Sequence, residues 1–134
     1  MTPITRSEMI TLLVEACPPF APEWRRFESE YTDDPERFLY VAIPPFSRCL
    51  SRALAAGDTE TLRRVFDVLE RLIVHGDAQV QEAAVVGIIK NLQNASLHEQ
   101  TAPSDYLPYL QPESQRWWGK VQTFWTNGRL LTED

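Results

Sequence analysis

The sequence predicts an all-α fold, a compact multi-helix domain of packed helical hairpins. Apolar residues recur every three or four positions along most of the chain, as on one face of a helix. Residues that start and stop helices bound these segments. No segment alternates apolar and polar residues over the length of a strand. A chain of 134 residues is large enough for one hydrophobic core, so we expect a single helical domain over 1–134.

Two helices are predicted before residue 32. Thr5 and Glu8 have the spacing of a capping box, and Pro18-Pro19 ends the helix that they begin. Pro22 suits the first position of the second helix because its missing N–H costs nothing there. The predicted core positions of the two helices are Met9, Ile10, Leu13, Ala16, Cys17, Trp24, Phe27 and Tyr31.

The third segment starts at Asp34-Pro35 and contains two adjacent prolines. Pro44-Pro45 removes two backbone donors, so we expect the helix to break or kink sharply there. Helical spacing resumes at Phe46 and continues to Gly57, which is a candidate left-handed cap.

The most regular helical pattern follows Asp58, a candidate N-cap. Its apolar positions are Leu62, Val65, Phe66, Leu69, Leu72 and Ile73. His75-Gly76-Asp77 ends this helix and starts another, so the two should form an antiparallel hairpin. The next helix, 80–92, is apolar on nearly all sides and is predicted to be central. The hairpin over 58–94 resembles one HEAT-type repeat, so the fold is expected to be HEAT-like in part.

The C-terminal third is predicted to be a polar loop followed by one helix. Segment 106–110 contains a proline, so we expect a single irregular helical turn there. The last helix opens at Pro112 and stops at Asn127-Gly128. Adjacent Trp117 and Trp118 diverge by roughly 100° around a helix axis, so we expect one of them to be partly exposed. Tryptophans on a last helix are more often typical of core closure, and the alternative is a binding hot spot. An exposed tryptophan leaves both a monomer and a weak homodimer open.

Charge and cysteine content limit the function classes. The formal net charge of −6 disfavours nucleic-acid and membrane partners and suits a basic protein partner. The N-terminal residues lack a signal pattern, and no stretch is apolar enough to span a bilayer, so a cytoplasmic location is expected. Cys17 and Cys49 lie in apolar patterns without CxxC spacing, so we expect buried thiols and no metal site.

No catalytic, cofactor-binding or metal-binding motif is found, so the sequence indicates a protein that is not an enzyme. His75 lies at a predicted helix end and His98 in a polar loop, and the glycines are too scattered to bind phosphate. A dispersed catalytic site assembled in space stays open as a minor alternative.

The densest charge cluster is the one candidate partner-binding site. It consists of Glu28, Glu30, Asp33, Asp34 and Glu36. Such a run is typical of a solvated connection, with Asp34 as an N-cap, and is also typical of a docking patch for Lys and Arg of a partner. A calcium loop is disfavoured because the alternating oxygen ligands and central Gly are missing.

Segment 109–118, YLQPESQRWW, followed by Phe124-Trp125, resembles the C-terminal signature of small bacterial all-helical immunity-like proteins associated with toxin systems. The resemblance implies a cytoplasmic protein that binds a cognate toxin domain and neutralises it by direct occlusion, without catalysis. The implied partner is a basic toxin domain. The alternative reading, from the 58–94 hairpin, is a HEAT-like adaptor or scaffold that binds other proteins.

Overall fold

The computed structural model describes residues 2–30, 35–94 and 101–127, and these are helical almost throughout, which confirms the all-α class. The α-helices are α1 (Arg6–Ala16), α2 (Ala21–Glu30), α3 (Pro35–Ala55), α4 (Thr59–His75), α5 (Ala78–Glu82), α6 (Lys90–Leu92) and α7 (Pro112–Asn127). Two 3₁₀ segments, Pro18–Phe20 and Pro103–Tyr109, and a π-helical segment, Ala83–Ile89, complete the order. Of the helices in these ranges, none combines the length and apolar character that a membrane crossing requires.

Side-chain caps set the helix starts as predicted. Thr5 Oγ1 accepts a hydrogen bond from the Glu8 amide at 3.4 Å, and the Glu8 carboxylate accepts one from the Thr5 amide at 3.2 Å. Asp58 and Asp77 each accept from the amide three residues on, at 3.2 and 2.9 Å. The predicted Asp34 cap lies outside the described residues.

Gly57 ends α3 in the left-handed conformation, with φ of +73°. The Asp58 amide donates to the Ala53 carbonyl at 2.9 Å, and the Gly57 amide donates to the Leu54 carbonyl at 3.2 Å. This pair of bonds is the Schellman arrangement, which requires a residue that tolerates positive φ. The predicted cap is therefore confirmed.

The predicted break at Pro44-Pro45 is wrong, because α3 is helical without interruption from Pro35 to Ala55. Each proline removes one backbone hydrogen bond, which should cost helix stability. Ile43, Phe46 and Leu50 around the prolines are all buried in the core. Apolar burial on this face offsets the missing hydrogen bonds. Tertiary packing therefore outweighs the helix-breaking propensity of the two prolines.

The core is built around a helical hairpin. Its first arm is α4, and its second arm, here called the central helix, consists of α5, the π-helical segment and α6 in continuous succession. Gly76 and Asp77 connect the arms, as predicted. The two arms together contact α1, α3 and α7. Buried residues of the hairpin include Leu62, Val65, Phe66, Leu69, Leu72, Val80, Ala83, Ala84, Ile88, Ile89 and Leu92.

The segment before α7 differs from its prediction. The single irregular turn expected over 106–110 is instead a 3₁₀ helix of 7 residues, Pro103–Tyr109. Tyr106 is fully buried, and its ring centroid lies 5.6 Å from that of Phe66 and 6.4 Å from that of Trp118. A segment predicted to form only one irregular turn thus contributes a central core residue.

Candidate protein-binding surface

The predicted acidic patch is described only in part. Glu28 and Glu30 are exposed in the last two turns of α2, while Trp24 and Phe27 of the same helix are buried. Asp33 and Asp34 lie outside the described residues, and so does the side chain of Glu36. Glu28 and Glu30 therefore face solvent as a docking patch requires, and the patch as a whole stays a prediction.

A second surface, which is not among the predicted site residues, is an open groove between the central helix and α7. Its volume is about 660 Å³. Ile73, Val85, Val86 and Trp117 supply the apolar lining, and Glu82, Glu113 and Arg116 supply charge. We call this feature the α7 groove. An apolar floor with charged groups around it is the usual composition of a protein-binding site.

Trp117 is the largest side chain of the α7 groove. It is half-buried, whereas Trp118 is 3% exposed and packs in the core, so the predicted divergence of the two tryptophans is confirmed. The Arg116 guanidinium lies 5.4 Å from the Trp117 ring centroid, and Lys120 Nζ lies 4.6 Å from it. These cation–π contacts favour one orientation of the ring at the surface.

Arg116 also contacts Glu113 at the groove. Its Nη1 lies 3.5 Å from a Glu113 carboxylate oxygen, and both side chains are more than 40% exposed. An ion pair this exposed contributes little to stability. Breaking this ion pair to contact a partner would therefore cost the fold little stability.

The opposite wall of the α7 groove is the π-helical segment. Val85 and Val86 belong to it, and the Lys90 amide at its end donates to the Val85 carbonyl five residues back. Asn91 Nδ2 donates to the Gly87 carbonyl at 2.7 Å. Wide turns of this kind are rare and occur frequently at functional sites. The irregular helix and the half-buried tryptophan therefore indicate the same surface.

Hydrogen bonds from other helices fix the position of α7. The Glu70 carboxylate of α4 accepts from the amides of Glu113 and Ser114, at 3.0 and 2.8 Å. Farther along, Gln93 Nε2 donates to the Trp118 carbonyl at 2.8 Å. Glu70 thus acts as an N-terminal cap supplied from 43 residues earlier in the chain. Two attachments along α7 make the groove a preformed feature of the fold.

His75, singled out in the sequence, ends α4 where the backbone pairs with the segment around Ile4. The carbonyl of His75, at the end of α4, accepts from the Ile4 amide at 2.8 Å, and the Asp77 amide donates to the Ile4 carbonyl at 3.0 Å. His98 lies outside the described residues. Within the described ranges, no group of three or more His, Cys, Asp or Glu residues is placed to hold a metal ion.

Cys17 and Cys49 are both buried, as predicted. Their sulfur atoms lie 3.7 Å apart, a contact that sequence reasoning missed because 32 positions separate the two residues. Two cysteines that are far apart in the sequence form no short motif such as CxxC, so their contact cannot be predicted from spacing.

Comparison with known proteins identifies a family without an assigned function. The family model described as "Domain of unknown function (DUF7674)" matches residues 10–126, which run from α1 into α7 and include the α7 groove. No curated protein and no solved structure matches the chain. The likeness of the 58–94 hairpin to a HEAT repeat therefore stays a prediction.

Proposed function

We propose that this chain, which belongs to the DUF7674 family, is a protein-binding domain that neutralises a cognate bacterial toxin domain by direct occlusion. The observation that carries the proposal is the preformed α7 groove with Trp117 half-buried in it. Tryptophan and arginine are enriched among the residues that dominate binding energy at protein interfaces. The domain would act by covering its partner in the cytoplasm and needs no chemistry of its own.

Charge supports a basic partner. The chain carries a net charge of −6, and exposed carboxylates lie both on α2, at Glu28 and Glu30, and at the α7 groove, at Glu82. Opposite surface potentials accelerate encounter and make association sensitive to salt. The groove suits an apolar side chain carried on a Lys- or Arg-rich segment. The apolar side chain would contact the apolar floor, and the basic side chains would contact the carboxylates.

Growth rescue tests the proposal. The domain encoded beside this gene is expressed in a sensitive host, with and without this protein, and growth is measured. We expect growth to be restored by the natural protein and lost with Trp117→Ala. The matched control is Leu107→Ala, which removes an apolar side chain that is 47% exposed and does not line the groove. No rescue by the natural protein would overturn the proposal. Equal rescue by both variants would show that the α7 groove is not the surface that binds the partner.

The acidic patch is tested in the same assay by charge reversal. Glu28→Lys and Glu30→Lys should each weaken rescue, whereas Glu60→Lys, which changes the net charge by the same amount on the exposed face of α4, should not. Equal effects would indicate that net charge alone matters and that the α2 surface does not contact the partner.

A HEAT-like adaptor is the second candidate function. The capped hairpin of α4 and the central helix favours it, because such hairpins are the unit of helical repeat scaffolds. An adaptor would assemble two or more proteins and would give no growth rescue. Analytical ultracentrifugation of the protein with products of neighbouring genes distinguishes the two, since occlusion predicts one partner in a one-to-one complex.

A further inference from the structure

Cys17 and Cys49 form an isolated thiol pair between α1 and α3. Cys17 is the residue after α1 and is 0% exposed, while Cys49 lies within α3 and is 9% exposed. Their Sγ atoms lie 3.7 Å apart, within the range of a thiol hydrogen bond. Helix packing, and not a shared motif, brings them together.

The geometry points to a reversible intramolecular disulfide between Cys17 and Cys49, formed with a peroxide or a small disulfide as the oxidant. A disulfide has an S–S length of about 2.05 Å, so the sulfurs must approach by roughly 1.7 Å. Cys17 has φ of −127° and ψ of 74°, outside the helical region, so it lies at a joint between α1 and the following 3₁₀ turn. Adjustment at this joint closes the distance without unwinding α3.

Cys49 is the residue that reacts first. A hydrogen bond from the Cys17 thiol lowers the pKa of Cys49, which favours its thiolate, and the positive charge of Arg52 acts in the same direction. Burial of Cys49 and the charge of Glu23 oppose both effects. The pKa of Cys17 is raised, by donating to Cys49 and by burial, so Cys17 holds its proton. The lowered pKa of Cys49 and its 9% exposure, against 0% for Cys17, favour Cys49 as the first thiol attacked.

The reaction balances with hydrogen peroxide. The Cys49 thiolate attacks one peroxide oxygen, the O–O bond breaks, and the departing hydroxide takes a proton to become water. Cys49 is then a sulfenic acid. The Cys17 sulfur attacks the Cys49 sulfur, and the sulfenic oxygen leaves as a second water with the Cys17 proton. The two thiols lose two electrons and two protons in all, and a dithiol reductant reverses the change.

Intact-mass spectrometry of the folded protein after mild peroxide treatment tests the inference. We expect a loss of two hydrogen masses, recovery of the original mass with dithiothreitol, and a peptide that links Cys17 to Cys49 after digestion without reductant. The bridge closes a long loop, so the oxidised protein should melt roughly 5–15 °C higher than the reduced one. Oxygen added at Cys49 with Cys17 still free, or disulfides only between two molecules, would overturn the inference.

Two further measurements keep the test independent of whether a variant folds. Cys49→Ala and Cys17→Ala should each abolish the two-hydrogen loss, with helical content checked by circular dichroism. In a glutathione redox buffer, the equilibrium constant for bridge formation in the natural protein should be at least tenfold greater when folded than in urea. A ratio below ten would contradict the expected gain, and a ratio of one or less would show that the fold opposes the bridge.

Discussion

Replacing Glu70 by alanine removes the cap of α7 and tests how the groove wall is held. Its carboxylate accepts from the Glu113 and Ser114 amides at 3.0 and 2.8 Å, and Ser114 is fully buried. An N-terminal cap contributes about 0.5–2 kcal/mol, and a buried amide left without an acceptor costs about 1–3 kcal/mol. We therefore expect Glu70→Ala to lower the free energy of unfolding by about 2 kcal/mol.

Urea denaturation at neutral pH measures this loss, and thermal melting should show a fall of roughly 6–8 °C for a chain of this length. Glu70→Gln keeps one oxygen acceptor and should lose about half as much. The matched control is Glu60→Ala, whose side chain is 81% exposed and pairs with Arg64, so that the cost stays below about 0.5 kcal/mol. Equal stabilities of the Glu70→Ala and Glu60→Ala variants would refute the capping role.

Two glycines and one aspartate give further predictions. Gly76→Ala should destabilise the protein by about 1–3 kcal/mol in the same urea assay, because the added Cβ would collide with the Leu72 carbonyl and the Val80 side chain. Gly119→Ala meets nothing within 4 Å and should stabilise α7 by about 0.5–1 kcal/mol; a loss of stability would contradict the described backbone. Hydrogen bonds from Thr61 lower the pKa of Asp58 from 3.8, so its contribution is present above that pH and is lost as the pH falls through the lower folded value. Asp58→Asn should therefore reduce the change of the free energy of unfolding with pH in that acidic window. An unchanged pH dependence would contradict the capping role of Asp58.

Much of the fold is predictable from local pattern. The caps at Thr5, Asp58 and Asp77, the Gly57 stop and the hairpin of α4 with the central helix follow from residues within a few positions of each other. Interactions of this range are what periodicity and capping rules describe.

Tertiary contacts explain where local pattern is insufficient. Burial holds α3 together across Pro44-Pro45, and a pocket among aromatic rings draws Tyr106 into the core from a short Pro-containing segment. The candidate site likewise depends on tertiary contacts that local pattern does not describe. Exposure of Trp117 rather than Trp118 and the cap from Glu70 depend on how α7 docks, and periodicity carries no information about docking.

Calorimetric titration of this protein with the partner domain identified by growth rescue tests the central proposal most directly, namely that recognition occurs at the α7 groove. We expect Trp117→Ala to raise the dissociation constant at least tenfold, a change of about 1.4 kcal/mol, and Leu107→Ala to leave it unchanged. Equal affinities for both variants and the natural protein would contradict the account.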